Sequence, residues 1–351
     1  MSTTTDSRSH GGPERNTAAG IVTILLALSG WTAIPLFLKH FSHDIDGWTA
    51  NGWRYGFSAL LWLPVLILQW HKGTTPQGLW KAAWPASVFN IFAQVCFGLA
   101  PYYIDPGLMT FSLRLQVIFL MFGAAMLFPS ERKVIRTPLF IAGISLLLAG
   151  TLLTLWFKEG GLGEAKSSIG VALAISSGVL YAGYGICVRK YMSGLPPFTA
   201  FAAVSQYTGV ALVLAMFVFG DKSGFLTPAI EALQKSGQPV PKEWLLGGAS
   251  VFELGGMQIF LLLLSAFIGI GFGHTCYYYA IQRLGLAVAT GVVQLQPVTV
   301  SLISMFLFQE KISVLQWCTG TGAICGAVLM LWAQQRVAAK AKEMAAAAAN
   351  T

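Results

Sequence analysis

The feature that most limits how this chain can fold is a series of apolar runs, each long enough to cross a lipid bilayer. About twenty residues span the roughly 30 Å of hydrocarbon as a helix, and helices satisfy their own backbone groups in lipid. Ten such runs are predicted as spans: residues 18–40, 48–70, 82–104, 106–129, 136–157, 168–188, 197–220, 257–281, 286–308 and 314–336. We therefore predict an all-α polytopic membrane protein with ten transmembrane helices.

The distribution of cations predicts which side of the membrane each loop occupies. Alternate loops carry most of the lysines and arginines, with the segment around Arg132 as one example. Because cation-rich short loops stay in the cytoplasm, we place those loops and both chain termini there. Residues 1–17 are predicted to be a disordered cytoplasmic tail, and residues 337–351 a second cytoplasmic tail.

Several classes of function lack the residues that they require. The five cysteines lie inside predicted spans and form no Cys-x-x-Cys pair, so we interpret them as packing residues. A paired-histidine motif, a Gly-x-Ser-x-Gly motif and an acidic cluster are all missing from the sequence. The net charge of +8 follows from topology and forms no basic patch with interleaved aromatic residues. We therefore expect no enzymatic activity, no cofactor, no metal and no nucleic-acid partner.

An internal repeat relates the two halves of the chain. The segment "SLRLQVIFLMFGAAMLFPSERK" (112–133) aligns with "VVQLQPVTVSLISMFLFQEK" (292–311), so that Gln116 falls on Gln296. Each copy is followed by an apolar span that contains several glycines. The sequence therefore predicts two structurally related units.

The number of spans in each unit predicts their relative orientation. Five is odd, so the second unit enters the membrane from the opposite side. Inverted repeats of this kind are typical of secondary transporters, whose site lies between the repeats near mid-bilayer. We predict two inverted five-helix repeats, at 18–157 and 168–336, with an extracytoplasmic insert at 221–256.

The chain resembles the EamA-type family of the drug/metabolite transporter superfamily. The resemblance rests on the five-plus-five plan, the "GW" of the first span, the "LQ" segments that end in "ER" or "EK", and the glycine-rich fifth and tenth spans. It covers residues 18–336 and implies a carrier of amino acids or other small metabolites in the cytoplasmic (inner or plasma) membrane. It also implies a central cavity lined by spans one to four and six to nine. Val117 stands where the resemblance leads us to expect a proline in the first repeat. The two repeats therefore do not carry a symmetrical pair of proline hinges.

Polar residues within the spans predict where a cavity lies. Residues three and four apart share a helix face, and six spans carry polar stripes at this spacing. We expect the stripes to line one aqueous cleft, while hydrogen bonds between helices, worth about 0.6 kcal/mol each, explain any single Ser or Thr better. The candidates for substrate binding are Arg114, Gln294, Arg54, His274, Gln94, Asn90, Tyr184, Trp31, Gln116 and Gln296.

The ninth span carries the longest polar stripe, formed by Thr290, Gln294, Pro297, Ser301 and Ser304. Its second glutamine, the one matched by the repeat, lies about 200° around an ideal helix from the first. The repeat-matched glutamines therefore cannot share the face of the stripe unless the helix is broken. We assign them to interhelical contacts and rank Arg114 and Gln294 above them.

Two arginines lie within predicted spans. Arg114 is about eight residues inside its span, where a charge costs about 2.5 to 3.5 kcal/mol or more unless it is paired or hydrated. No aspartate or glutamate lies deep within any predicted span. A substrate carboxylate or phosphate would pair with Arg114 in a bidentate contact, with backbone carbonyls and water as the alternative. Arg54 is shallower, so its side chain either snorkels to the outer surface or binds a ligand.

Only His274 among the histidines lies within a span. Proton-driven carriers place an Asp, Glu or His in the transport pathway, so His274 is a candidate for proton coupling. An ungated facilitator or an exchanger is equally consistent with the sequence. A packing role is the alternative for His274. Trp31 and Tyr184 either form aromatic walls of a cavity or fill the core.

Prolines, glycines and two glutamates are candidates for architectural roles. Gly30, Pro35 and Pro297 are candidate pivots, and Pro297 is expected to free the backbone carbonyl near Val293. Two glutamates lie between paired helices, where we expect them to cap the first turn of the following helix. They are Glu131 and Glu310.

Together these features predict a secondary transporter, an exporter or exchanger, of amino acids or other carboxylate-bearing metabolites that works by alternating access. The alternatives are a carrier of phosphorylated metabolites, a carrier of neutral or cationic drugs, and a channel-like or structural membrane subunit. The repeat, its glycines and its mid-span proline favour moving halves over a static pore. A small-molecule substrate and membrane lipid are the expected partners, and a homodimer is left open.

Overall fold

The computed structural model describes residues 17–127, 132–157, 165–222, 227–239, 247–284, 289 and 292–349. Within these ranges the chain forms helices joined by turns, and no residue lies in a strand. The predicted all-α class is therefore confirmed. The main helices are α1 (Thr17–Phe41), α2 (Gly47–His71), α3 (Leu79–Leu99), α4 (Pro106–Leu113), α5 (Gln116–Leu127), α6 (Arg132–Ile135), α7 (Pro138–Trp156), α8 (Ala165–Tyr191), α9 (Pro197–Phe219), α10 (Thr227–Lys235), α11 (Gly256–Ala266), α12 (Gly273–Leu284), α13 (Gln296–Leu307) and α14 (Val314–Ala349).

Eight helical stretches in the described part of the chain are long and apolar enough to cross a membrane. The second predicted span forms α2, which has 25 residues but carries buried polar side chains that lower its hydropathy. Of the predicted ninth span, α13 provides a helix of 12 residues, and part of its first half lies outside the described residues. The structure thus indicates an integral membrane protein, and the count of ten spans stays a prediction.

Local sequence determines where several of the helices begin. Asp46 precedes α2 and accepts hydrogen bonds from the backbone nitrogens of Trp48 (2.9 Å) and Thr49 (3.0 Å). Thr137 precedes α7, and its hydroxyl accepts from the backbone nitrogen of Phe140 at 3.2 Å. These side chains satisfy N–H groups that have no partner within the helix. Proline begins α4, α7 and α9, positions where its missing N–H costs nothing.

The helices of the first half pack on those of the second. The main pairs are α1 with α12, α2 with α9, α3 with α8, α4 with α13, and α7 with α14. Replacing each predicted span by its counterpart in the other repeat turns the α1–α12 pair into the α8–α3 pair. The other three pairs of predicted spans map onto themselves. This pairing is the one expected of two related units that share one extended interface.

The closest of these contacts joins α7 to α14 through glycines. A Cβ on Gly326 would overlap the backbone nitrogen of Leu147 and lie 2.6 Å from the carbonyl oxygen of Gly143. A Cβ on Gly150 would lie 2.5 Å from the backbone nitrogen of Ala323. Helices in membranes associate through such small residues because they let the backbones approach. Any side chain at Gly326 therefore separates the two helices.

We predict that Gly326→Ala lowers the free energy of unfolding by about 1 to 3 kcal/mol, the usual cost of overpacking. Gly322→Ala is the matched control, since its Cβ would meet only Leu146 Cδ1 at an ordinary 3.7 Å. Both changes bring the same gain in helix propensity. Thermal unfolding of the purified variants measures the difference, and equal melting temperatures would contradict the close packing.

Candidate functional site

Two helix interruptions at matched positions of the two halves form the centre of the candidate site. In the first half, α4 ends at Leu113 and α5 begins at Gln116, with a turn between them. In the second half, a turn at Gln294 and Leu295 precedes α13. The turn interrupts the continuous polar stripe expected along the ninth span, whose Thr290 lies outside the described residues. Discontinuous helices build the sites of many secondary transporters.

Arg114 lies at the first interruption and reaches the second. Its Nη2 donates to Gln296 Oε1 at 2.8 Å, and its Nη1 donates to Gln294 Oε1 at 3.3 Å. Two backbone carbonyls complete the set, since Nη1 also donates to Val293 O and Nε to Thr110 O, both at 3.4 Å. The side chain is 6% exposed, and no carboxylate in the described chain forms a salt bridge with it. Its charge is thus surrounded by neutral oxygen atoms.

Gln296 connects this network to α1. Its Nε2 donates to the backbone carbonyl of Trp31 at 2.7 Å, while its Oε1 accepts from Arg114. It therefore shares a partner with Gln294, which an unbroken helix would not allow. The physical reason is the turn before α13, which brings both glutamines to one guanidinium. The repeat-matched Gln116 is half-buried and packs on α8, with its Cβ 3.4 Å from the position that a Cβ would take at Gly178.

The three candidate pivots differ in their local geometry. Pro297 occupies the first turn of α13, so it begins a helix rather than bending one, and the carbonyl of Val293 that it was expected to free accepts from Arg114. Pro35 lies inside α1, which continues through it. At Gly30 a Cβ would lie 3.1 Å from the carbonyl oxygen of Ile268, so this glycine permits a close helix contact.

Arg54 is the most buried of the predicted binding residues, with 1% of its surface exposed. Its Nε donates to Ser265 Oγ of α11 at 2.9 Å, and in the described chain no carboxylate pairs with it. The alternative in which Arg54 snorkels outward is therefore wrong. The end of the insert packs on α2 beside Arg54, where Nε1 of the neighbouring Trp53 donates to the carbonyl of Gly248 at 3.0 Å.

The two arginines lie at similar distances from the starts of their helices. Arg54 is seven residues beyond the start of α2 at Gly47, and Arg114 is eight residues beyond the start of α4 at Pro106. At a rise of about 1.5 Å per residue, both arginines lie about 10 to 12 Å along their helices. Both helices begin on the side predicted to be extracytoplasmic. The phenols of Tyr102 and Tyr181 lie within electrostatic range of Arg54.

Asn90 and Gln94 form a polar ladder between α2, α3 and α9. Asn90 Nδ2 donates to Thr208 Oγ1 at 2.9 Å, and Gln94 Nε2 donates to Asn90 Oδ1 at 3.4 Å. The carbonyl of Gln94 accepts from Asn51 Nδ2 at 3.0 Å. These contacts favour the interhelical alternative for both residues. Tyr184 is partly buried against the neighbouring apolar cluster.

His274 and Trp31 meet at a π-helical stretch, Phe267–Phe272, which connects α11 to α12. Both contact the carbonyl of Gly269, His274 through Nδ1 at 3.1 Å and Trp31 through Nε1 at 3.2 Å. The rings of His274 and Phe201 stack with centroids 4.7 Å apart. π-helical turns are often found at functional sites, and here the turn supplies an acceptor to two aromatic rings. These contacts favour the packing alternative for His274.

Glu310 joins the two halves at the end predicted to be extracytoplasmic. Its carboxylate accepts from the backbone nitrogens of Gly107 (3.2 Å) and Leu108 (3.3 Å) in the first turn of α4. The expectation that it caps the following helix is wrong, because a reciprocal pair between Ser313 and Gln316 already caps α14. The matching expectation for Glu131 lies outside the described residues.

An ion pair that the sequence analysis missed lies beside Glu310. Lys39 Nζ lies 3.2 Å from Asp105 Oδ1 and donates to the carbonyl of Pro101 at 3.3 Å. Lys39 lies in the last turn of α1, and Asp105 directly precedes α4. Opposite charges at the ends of two helices were the sequence feature that could have predicted this ion pair. Ser265 was also missed, and an isolated serine in an apolar run carries no signal of its own.

Comparison with known proteins places the chain among membrane transporters. The model of the EamA-like transporter family matches residues 18–156 and 168–332, close to the two predicted repeats. A solved structure described as "Crystal structure of protein" has 16% sequence identity and a TM-score of 0.56, and the match covers 91% of this chain and 98% of that one. At this identity the likeness shows the fold alone. A comparison with curated proteins gave no match.

We predict that Arg114 and Gln296 are energetically coupled. In a double-mutant cycle with Arg114→Met and Gln296→Leu, we expect a coupling of about 0.5 to 3 kcal/mol in the free energy of unfolding, because each single change leaves a buried polar partner unsatisfied. The control cycle replaces Gln296→Leu by Gln206→Leu, a half-buried glutamine of α9 that donates to the carbonyl of Ala59, and should be additive within about 0.5 kcal/mol. Equal couplings in the two cycles would contradict the network.

We predict that stability depends on pH through Glu310, which lies in the connection between α13 and α14. Burial, the largest cause, raises the pKa of its carboxyl above the ordinary value, and the nearby Asp105 adds to this. A raised carboxyl pKa means that the folded protein holds the proton more tightly than the unfolded chain. Stability is then lost as pH rises from about 4.3, the ordinary value, through the raised pKa.

Glu310→Gln removes this titration. The melting temperature of the variant relative to wild type should therefore rise with pH across that window, as measured by intrinsic fluorescence. Lys311→Gln, an exposed neighbour, serves as the control and should leave the pH profile of wild type unchanged. A pH-independent difference between Glu310→Gln and wild type would rule out this role for Glu310.

Proposed function

The chain belongs to the EamA-like transporter family, and on this basis we propose that it is a secondary transporter of small carboxylate-bearing metabolites, amino acids among them. Family membership and the apolar helices indicate a membrane transporter of small molecules. The substrate class, export or exchange as the direction, and alternating access between two inverted repeats are our proposal.

The observation that carries the substrate class is the burial of Arg54 without a carboxylate partner in the described chain. A charge in this environment is costly unless it is paired, and the serine hydroxyl that accepts from Nε is a neutral partner. A guanidinium has five N–H donors that fit a carboxylate in a bidentate contact. A substrate carboxylate supplies the missing negative charge, so we assign Arg54 as the primary anchor.

Arg114 has a different role in this proposal. Its guanidinium donates to two glutamine side chains and two backbone carbonyls, so most of its donors are engaged within the protein. We therefore rank it below Arg54 as a substrate contact, which reverses the order inferred from sequence. Its role is to hold the two helix interruptions together in this conformation.

Alternating access is supported by where the two halves are joined. At the end predicted to be extracytoplasmic, Glu310 of the second half caps α4 of the first. Opening this end to water requires the Glu310 contacts to break. The matched interruptions offer two points at which the helices bend, as in carriers whose repeats rock around a central site.

We predict that carboxylates stabilise the purified protein and that Arg54→Ala strongly reduces this effect. A ligand at a hundred times its dissociation constant adds about 2.7 kcal/mol to the folded state. Loss of a charged hydrogen-bonding partner worth about 1.5 to 3 kcal/mol should weaken binding by roughly ten- to hundredfold. Thermal unfolding against a metabolite panel sorted by charge gives the measurement, and uptake into proteoliposomes gives a second readout.

Two variants serve as controls for this experiment. Arg54→Lys keeps the charge but loses the bidentate geometry, so binding should weaken without disappearing. Ser265→Ala removes the partner of Arg54 in the protein and keeps the guanidinium, so carboxylate binding should persist. If only neutral or cationic compounds stabilise both wild type and Arg54→Ala, the anion proposal fails. Stabilisation by phosphorylated metabolites alone would instead support the alternative class of substrate.

A further inference from the structure

A concave region lies at the end of α5 and along α6, away from the buried arginines. It is a cavity of about 420 Å³ lined by Phe122, Ala125, Met126, Arg132, Ile135 and Arg136. Two of its six lining residues are cationic, and the other four are apolar. We propose that this cavity binds an anionic phospholipid, with the phosphate of the headgroup held between Arg132 and Arg136.

The arginines form the charged end of the cavity. Arg132 Nε donates to the carbonyl of Ala125 at 3.1 Å, and its Nη2 donates to that of Met126 at 3.4 Å, which fixes the guanidinium at the last turn of α5. Arg136 is exposed. Neither arginine forms a salt bridge within the described ranges. A phosphate between two guanidinium groups relieves their mutual repulsion and accepts bidentate hydrogen bonds.

The apolar end of the cavity indicates a lipid rather than a free anion. Phe122 and Met126 are 43% and 77% exposed, and both lie on a stretch apolar enough to span the membrane, Pro106–Leu127. Side chains exposed along a span face acyl chains. A free phosphate would use the arginines and leave this surface without a role, whereas a phospholipid matches both ends.

The position in the membrane agrees with this occupant. Residues 131–136, "ERKVIR", carry three cations and one anion, in a loop that the distribution of cations predicts to be cytoplasmic. Basic pockets between helices on that side bind anionic headgroups, which are enriched in the facing leaflet. The cavity therefore lies where its charge and its apolar lining meet the matching parts of a lipid.

The test compares lipid retention by the full-length protein in vesicles of phosphatidylglycerol with that in vesicles of phosphatidylcholine, measured by native mass spectrometry after mild extraction. We expect wild type to retain phosphatidylglycerol preferentially and Arg136→Ala to bind it more weakly by about tenfold or more, because a charge-assisted contact to the phosphate is lost. Lys133→Ala is the matched control, since Lys133 is an exposed cation of α6 outside the cavity lining.

Each remaining outcome decides against the proposal. An equal loss in Lys133→Ala would show general attraction to an anionic surface. Unchanged retention in Arg136→Ala would show that the cavity does not bind the headgroup. Displacement of the lipid by inorganic phosphate would identify a free-anion site. Because no transported substrate is present, the result is independent of the substrate class proposed above.

Discussion

The burial of a guanidinium among neutral oxygen atoms is the interaction on which the centre of this structure depends. A carbonyl inside an unbroken helix already accepts from the residue four positions on, which leaves only its second lone pair for a neighbouring side chain. The turn before α13 releases the carbonyl of Val293 and brings two glutamine side chains to Arg114. The oxygen atoms at the interruption need hydrogen-bond donors and the guanidinium of Arg114 needs acceptors, so each satisfies the other.

The same logic extends from this arginine across the interface of the two halves. Gln296 links Arg114 to the carbonyl of Trp31 in α1, and the indole of Trp31 reaches the carbonyl of Gly269. That carbonyl belongs to a π-helical stretch, a second departure from regular helix geometry. Each irregular segment thus supplies backbone acceptors to side chains of another helix. A continuous set of polar contacts therefore connects α4, α13, α1 and the start of α12.

Much of this architecture is accessible from sequence, because hydrophobic runs and repeats are local patterns. The helical class and the family both follow from them. The interruption at Gln294 does not, since an apolar run looks the same whether its helix is continuous or broken. The partner of Glu310 is 203 residues away along the chain, a relation that capping rules based on neighbouring residues cannot supply.

The burial of Arg54 illustrates a further limit of sequence reasoning. Distance from the end of a span predicts exposure only if nothing covers that end. Here residues from the end of the insert pack against the outer end of α2, with Gly248 in contact with Trp53. The covering segment is almost 200 positions from Arg54 in sequence and carries no motif. The position of Arg54 along its helix is thus readable from the sequence, while the burial of its side chain is not.

The difference between the two arginines gives a physical reason for their separate roles. A buried arginine paired with a carboxylate is costly to separate, because breaking the pair leaves an uncompensated charge in a medium of low polarity. Arg114 avoids this cost by using neutral acceptors, so its bonds can exchange for water when the helices move. Arg54 lacks such a set in the described chain, and in the function that we propose an anionic substrate supplies its compensation. Under this proposal the contact between the helix interruptions stays reversible, and the counter-charge of Arg54 comes from the molecule that is carried.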